Sequence, residues 1–333
     1  MIRPSSIQSL IRSSLAVLAV GALTLATPAH AETVLKWAHV YETGEAYHKE
    51  ALWAADEIAK RTDGRYKIEV FPASQLGNEK QINEGLTLGT VDMIYTGVAF
   101  AGSIYGPLAI TNAPYILRDF DHWKAYRDSQ LFQDLAKGYD DKSGNHIVAL
   151  TYYGQRDVTA NRKITKPEEM KGMKLRVPNA PLYKMFAKSV GANATPIAFS
   201  EVYLALQQGT VDGQENPLPT IMAKKFYEVQ SHIMLTGHIT ESLLTIVGGN
   251  VWSSMSDADK QIFSDVLKEA AARCTDEIRA SEQKLADKFR EMGKDVVEVD
   301  RDAFRQAAIP LLNDPDAGAT WTKEQYDALE ALQ

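Results

Sequence analysis

Residues 171–217 read KGMKLRVPNAPLYKMFAKSVGANATPIAFSEVYLALQQGTVDGQENP. Within them, 174–177 (KLRV) reads as a short strand with Arg176 near its end. A later apolar helical run, 202–208, is closed by Gly209-Thr210-Val211-Asp212 and followed by the polar cluster Gln214-Glu215-Asn216. The same four residues, Gly89-Thr90-Val91-Asp92, close an earlier apolar helical run at 83–88 and again lead into an extended segment. A glycine just past a helix end adopts the left-handed conformation that turns the chain. One such stop is commonplace, whereas four identical residues at the same structural point predict two similar lobes, each a sheet with helices.

Outward from this repeat, strand and helix patterns alternate, as an α/β protein requires. Segment 33–40 (TVLKWAHV) alternates as a strand. Segment 45–61 places Tyr47, Ala51, Ala55 and Ile58 on one helical face and stops before Gly64. Strands are also expected at 66–71, 92–96 and 146–153. From Ser256 to about Met292, a capping box with Asp259 as its acid precedes Ile262, Val266, Ala270, Cys274 and Ile278 at four-residue steps, continued by Leu285, Phe289 and Met292. A helix of that length exceeds what one small lobe needs, and suits a spine across two. Residues 320–333 suggest a short amphipathic packing helix.

Arg3 and Arg12, the apolar run 15–26 and Ala29-His30-Ala31 together describe a secretory signal peptide over residues 1–31. The run is too short for a membrane span, which needs ~18 apolar residues. Its removal takes two of the 36 basic residues and none of the 43 acidic ones, leaving a net charge of −9. That acidity argues against nucleic acid or an anionic membrane surface as partner. The only cysteine, Cys274, excludes an intramolecular disulfide. The chain carries no G-x-S-x-G, H-E-x-x-H or phosphate-loop pattern, and its seven histidines are scattered without zinc-ligand spacing. No metal or cofactor is therefore expected.

KLRVP around Arg176, the QENP segment and the long 256–292 helix together resemble the solute-binding proteins of tripartite ATP-independent periplasmic (TRAP) transporters, the DctP family, from about residue 35 to 300. Within it the resemblance is strongest to the sialic-acid-binding branch. It implies a two-lobed periplasmic clamshell with a long helix spanning both lobes. Lobe I would comprise 32–153 plus about 242–281, and lobe II 154–241 plus about 282–333. The implied function is a monomeric, non-enzymatic receptor that captures a small organic acid and passes it to a small and a large membrane permease subunit, without a cofactor.

By the same resemblance Arg176 binds the ligand carboxylate, for which a planar guanidinium fork is suited. Arg156 matches a second arginine of the sialate branch, or is a hinge salt bridge. Asn216 is the ligand-contacting asparagine, Phe199 an aromatic floor or a core residue, and His238 a pocket or a structural histidine. Glu215 and Glu79 accept hydrogen bonds from the ligand or are solvated. Where the sialate branch carries an asparagine, an acid and an arginine, this chain has Val40, Gly97 and Phe100, which points to a sugar acid or hydroxy-carboxylate smaller than sialic acid. A C4-dicarboxylate or sialic acid remains the alternative, as does a sensor in place of the permease. A secreted enzyme acting on a carboxylate is the alternative of another class.

Overall fold

Two short parallel triplets of strands open the two halves of the sheet, and each is built by the same local chemistry. The computed structural model describes residues 32–333, so the expected signal peptide lies outside the described residues. In the first triplet β1 (Thr33–Ala38) lies between β2 (Tyr66–Phe71) and β3 (Met93–Gly97). In the second, β5 (Lys174–Val177) lies between β6 (Asn193–Pro196) and β7 (Gly213–Pro217).

The Gly-Thr-Val-Asp repeat performs the same task in both. Gly89 and Gly209 take φ of 73° and 67°, values open to glycine at little cost. The threonine N–H then bonds back into the preceding helix, Thr90 to Gly85 O and Thr210 to Ala205 O, each at 2.9 Å. The aspartate clips the central strand of its triplet: Asp92 Oδ2 accepts from Lys36 N and Asp212 Oδ2 from Lys174 N, both at 2.8 Å. Each aspartate N–H donates to the carbonyl of that same lysine. The repeat is thus a helix stop fused to a strand clip.

Between the triplets run β4 (His146–Ala160) and β8 (His232–Val247), of 15 and 16 residues, giving one sheet in the order β2-β1-β3-β8-β4-β7-β5-β6. A ninth strand, β9 (Asp295–Val297), pairs with β8. The expectation of a separate sheet in each lobe is therefore corrected. The two long strands carry one triplet at each end, β3 antiparallel to β8 and β7 antiparallel to β4. The expected strand 146–153 likewise continues to Ala160, through Gly154-Gln155-Arg156-Asp157. They stay extended because their polar groups are bonded inside the protein.

The long helix is Asp257–Glu291, 35 residues, or about 52 Å. Ser256 caps it by accepting from Asp259 N at 3.1 Å, but the return bond of the expected capping box runs from the Ser256 hydroxyl to Asp259 Oδ2 rather than from backbone. Cys274 is fully buried on its inner face, whereas Met292 lies past the helix end and is exposed. Arg273 pairs with Glu50 at 2.6 Å, tying this helix to Ala46–Arg61. Further on, Glu282 accepts from Gln155 N at 2.7 Å and from the Tyr152 hydroxyl at 2.9 Å. That contact falls at a register shift of β4 at Gly154 (φ 125°), a position at which an added Cβ would lie 2.7 Å from Pro217 and 2.8 Å from Glu282. Gly154 is register partner to Glu241 of β8.

Candidate functional site

β5, β4, β7 and β8 each send one polar side chain into the same interior space. A cavity of about 20 Å³ is walled by Arg176, Arg156, Asn216 and Glu241 from these four strands, with Glu79, Gly97 and Phe100 from the first half of the fold. Tyr41, Tyr153, Tyr183 and Phe199 complete most of its apolar lining. That volume admits about one water molecule. Two wider surface grooves, about 980 and 690 Å³, contain neither arginine, and the smaller of them meets the cavity only at Phe100.

Arg176 is 1% exposed. Its Nε and Nη2 both donate to Ile197 O, at 3.0 and 2.7 Å, which fixes the plane of the guanidinium. Its Nη1 has no hydrogen-bond partner among the described residues. Burial pushes this group down to about 10, with Glu79 opposing, so it remains a cation at neutral pH. A buried cation with one donor unspent is costly to the protein alone, and is suited to receiving an anion.

Arg156 is differently placed. Its Nε donates to Glu215 Oε2 and its Nη1 to Glu241 Oε2, while Nη2 reaches Glu215 Oε1 at 2.8 Å, Glu215 O at 2.6 Å and Asn216 Oδ1 at 3.2 Å. Burial alone would lower its pKa, but the two glutamates hold it well above the ordinary arginine value. Glu215 in turn is held below the usual carboxylate range against burial by Arg156 and His238. These contacts are salt bridges, and Arg156 also lines the cavity wall.

Of the seven residues singled out from sequence, Arg176, Arg156, Asn216, Phe199 and Glu79 meet at the cavity wall. Glu215 and His238 do not form that wall. Glu215 is 2% exposed rather than solvated, and lies against Arg156. His238 stands behind it, with Nε2 3.1 Å from Glu215 Oε2, Nδ1 2.8 Å from Thr236 Oγ1 and its ring stacked on Phe186. Burial lowers the His238 pKa, so at neutral pH it bonds to Glu215 as the neutral ring. Asn216 Nδ2 donates to Gln214 Oε1 at 2.6 Å. Of the three departures from the sialate pattern, Gly97 and Phe100 line the cavity and Val40 is buried outside it. A Cβ at Gly97 would come within 2.9 Å of the Tyr183 hydroxyl, which fills the space that a side chain at 97 would need.

Sequence reasoning missed Glu241 and Tyr183. Glu241 Oε1 accepts from the Tyr183 hydroxyl and from Asn112 Nδ2 at 3.2 Å. The available signal was a single acid inside 239–247 (ITESLLTIV), a segment apolar enough to be a buried strand.

Behind the site, Asp157 accepts from Gly237 N at 2.8 Å, and burial pushes its carboxyl up to about 8. An unfolded aspartate releases its proton near pH ~3.9, so between that pH and about 8 the folded state holds the extra proton. The stability that the protonated group contributes is whole below pH ~4 and is lost as pH rises towards 8, by up to ~1.4 kcal/mol per unit. Asp157→Asn keeps the acceptor and removes the titration. Urea unfolding of this variant should show a flatter decline between pH 5 and 8 than the parent, and a slope equal to the parent's would contradict the assignment.

Residues 37–315 match the family described as bacterial extracellular solute-binding protein, family 7. The sialic acid-binding periplasmic protein SiaP of Vibrio cholerae is 35% identical over 300 residues, covering 90% of this chain and 94% of that protein. Two crystal structures of TRAP periplasmic solute-binding proteins superpose closely. One, from Polaromonas sp. JS666 with bound D-erythronate, has a TM-score of 0.86 and 33% identity over 91% of this chain and 99% of that one. The other, from Roseobacter denitrificans OCh 114 with bound L-galactonate, has a TM-score of 0.83 and 32% identity over 90% and 98%. The fold is thus the two-lobed α/β architecture of these binding proteins.

Proposed function

The chain belongs to the DctP family, family 7 of the bacterial extracellular solute-binding proteins, and from that premise we propose that it holds a small sugar acid or hydroxy-carboxylate by its carboxylate on Arg176. Members of this family are the binding proteins of transporters and not enzymes, and they work with membrane permease subunits. The observation that carries the ligand reading is Arg176 Nη1, a buried cationic donor without a partner in the wall of an interior cavity. An incoming carboxylate supplies the missing acceptor and the countercharge together. Asn216 and Glu79, also in the wall, offer hydrogen-bonding groups to hydroxyls, and Phe199 an apolar face. Glu215 and His238 act indirectly, by fixing Arg156.

Relatives with bound D-erythronate and L-galactonate favour an aldonate-like acid. The relative named for sialic acid keeps that sugar in contention, but Gly97 and Phe100 offer its hydroxyls no partners, and each hydroxyl left unpaired costs ~1–3 kcal/mol. Calorimetry should therefore find D-erythronate or L-galactonate binding well ahead of sialic acid. Tight sialic acid binding with no response from the shorter acids would overturn this reading. A carboxylate-processing enzyme would release altered product, whereas a receptor returns the acid unchanged.

A cavity of about 20 Å³ cannot admit even a four-carbon acid unless the protein opens. The opening proposed here divides lobe I, 32–153 plus about 242–281, from lobe II, 154–241 plus about 282–333. All three crossings then fall together, since Gly154 is paired with Glu241 and Glu282 bonds to Gln155 N. Small-angle scattering should give a smaller radius of gyration with saturating D-erythronate than without; superimposable profiles at saturation would count against closure about this point. Export through a cleaved 1–31 signal, action as a monomer and delivery to a small and a large permease subunit complete the proposal. N-terminal sequencing, light scattering of the periplasmic protein and uptake by reconstituted permease test these in turn.

A further inference from the structure

Two guanidinium groups reach the cavity, and of the two only Arg176 has a nitrogen without a hydrogen-bond partner among the described residues. The charge of Arg156 is met twice, by Glu215 and by Glu241, so that cluster alone carries a surplus negative charge. Arg176 offers the unpartnered Nη1. Glu241 comes from β8 and Arg176 from β5, with β4 and β7 between them. The strand register sets Arg176 across from Ile233, eight residues before Glu241 on β8, so the two side chains reach the one cavity from well-separated backbone positions. Glu79 adds a second carboxylate to the wall.

From this arrangement we infer that the site accepts one carboxylate only, with an uncharged hydroxylated far end, and that Glu241 is the residue that turns dicarboxylates away. The inference rests on the receptor reading given above. A ligand whose carboxylate is bound at Arg176 extends towards Glu241, whose Oε1 accepts from Tyr183 and Asn112. A hydroxyl arriving there can donate to the carboxylate. A second carboxylate brings no proton to share, and meets a like charge in a water-poor space where such charges repel strongly.

The test is calorimetry on the full mature protein with acids matched in carbon count: D-erythronate against meso-tartrate, and L-galactonate against galactarate. Each pair differs only in whether the terminal CH₂OH has become a second carboxylate. The aldonate should bind about 100-fold or more tightly than its aldarate, and Glu241→Gln should narrow that ratio by about tenfold. Should Glu241→Gln fail to fold, the parent protein's ratios still decide the selectivity, and Glu79→Gln tests the remaining wall carboxylate. An aldarate binding as tightly as its aldonate would overturn the inference while leaving the receptor reading intact. An unchanged ratio in well-folded Glu241→Gln would overturn the role of Glu241. Heat from none of the four acids would sink the receptor reading and this inference with it.

Discussion

Arg176→Ala should abolish acid binding while leaving the protein as stable as the parent, or slightly more so. The two effects separate because Arg176 is a buried cation whose Nη1 is unpartnered and whose only hydrogen bonds, among the described residues, run to Ile197 O. Without ligand it costs the fold its desolvation and returns little, so its removal is close to neutral. With ligand it is one half of a desolvated charge pair, and losing one partner of such a pair costs ~3–5 kcal/mol, a few hundredfold or more in affinity. Thermal unfolding without ligand should thus match the parent, and the upward shift that D-erythronate gives the parent should vanish. Arg176→Lys should bind poorly as well, since an ammonium cannot keep the Ile197 contacts and meet a carboxylate with the same fork. Near-parental affinity in well-folded Arg176→Ala would remove this residue from the site.

Arg156→Ala should do the reverse, damaging the fold itself. Among the described residues, its loss leaves Glu215 and Glu241, 2% and 1% exposed, with only His238, Tyr183 and Asn112 to donate to them. Breaking a buried pair by removing one partner costs ~3–5 kcal/mol, which for a chain of this size lowers Tm by roughly 5–10 °C. The deficit should shrink in acid, because a protonated glutamate no longer buries an uncompensated charge. Unfolding curves of parent and variant at pH 7 and pH 4.5 measure both parts. A Tm within a degree of the parent's at pH 7 would mean that the Arg156 cluster does not bear on stability.

The contrast between these two arginines also marks how far the sequence can be read. Arg176 is legible because its neighbours are local: a short strand, KLRVP, and a helix stop thirty-odd residues on whose twin sits at 89–92. The repeat foretells the paired triplets because its hydrogen bonds are short-range and identical in both copies. Arg156 stays ambiguous because its partners lie 59 and 85 residues away, and no periodicity records who pairs with whom across a sheet. The strand 232–247 is hidden for a related reason. Gly237, His238, Glu241 and Ser242 interrupt its apolar pattern, and each is a buried position whose partner belongs to another element. Once β8 goes unrecognised, Glu241 is lost with it, and so is the continuity of the single sheet.

The most direct measurement is a crystal structure of the protein grown with D-erythronate. Closed lobes are expected, with a carboxylate oxygen of the acid at about 2.7–2.9 Å from Arg176 Nη1 and Arg156 still held by Glu215 and Glu241. An acid bound in the interlobe cavity with its carboxylate elsewhere, and Arg176 Nη1 still without an acceptor, would contradict this expectation.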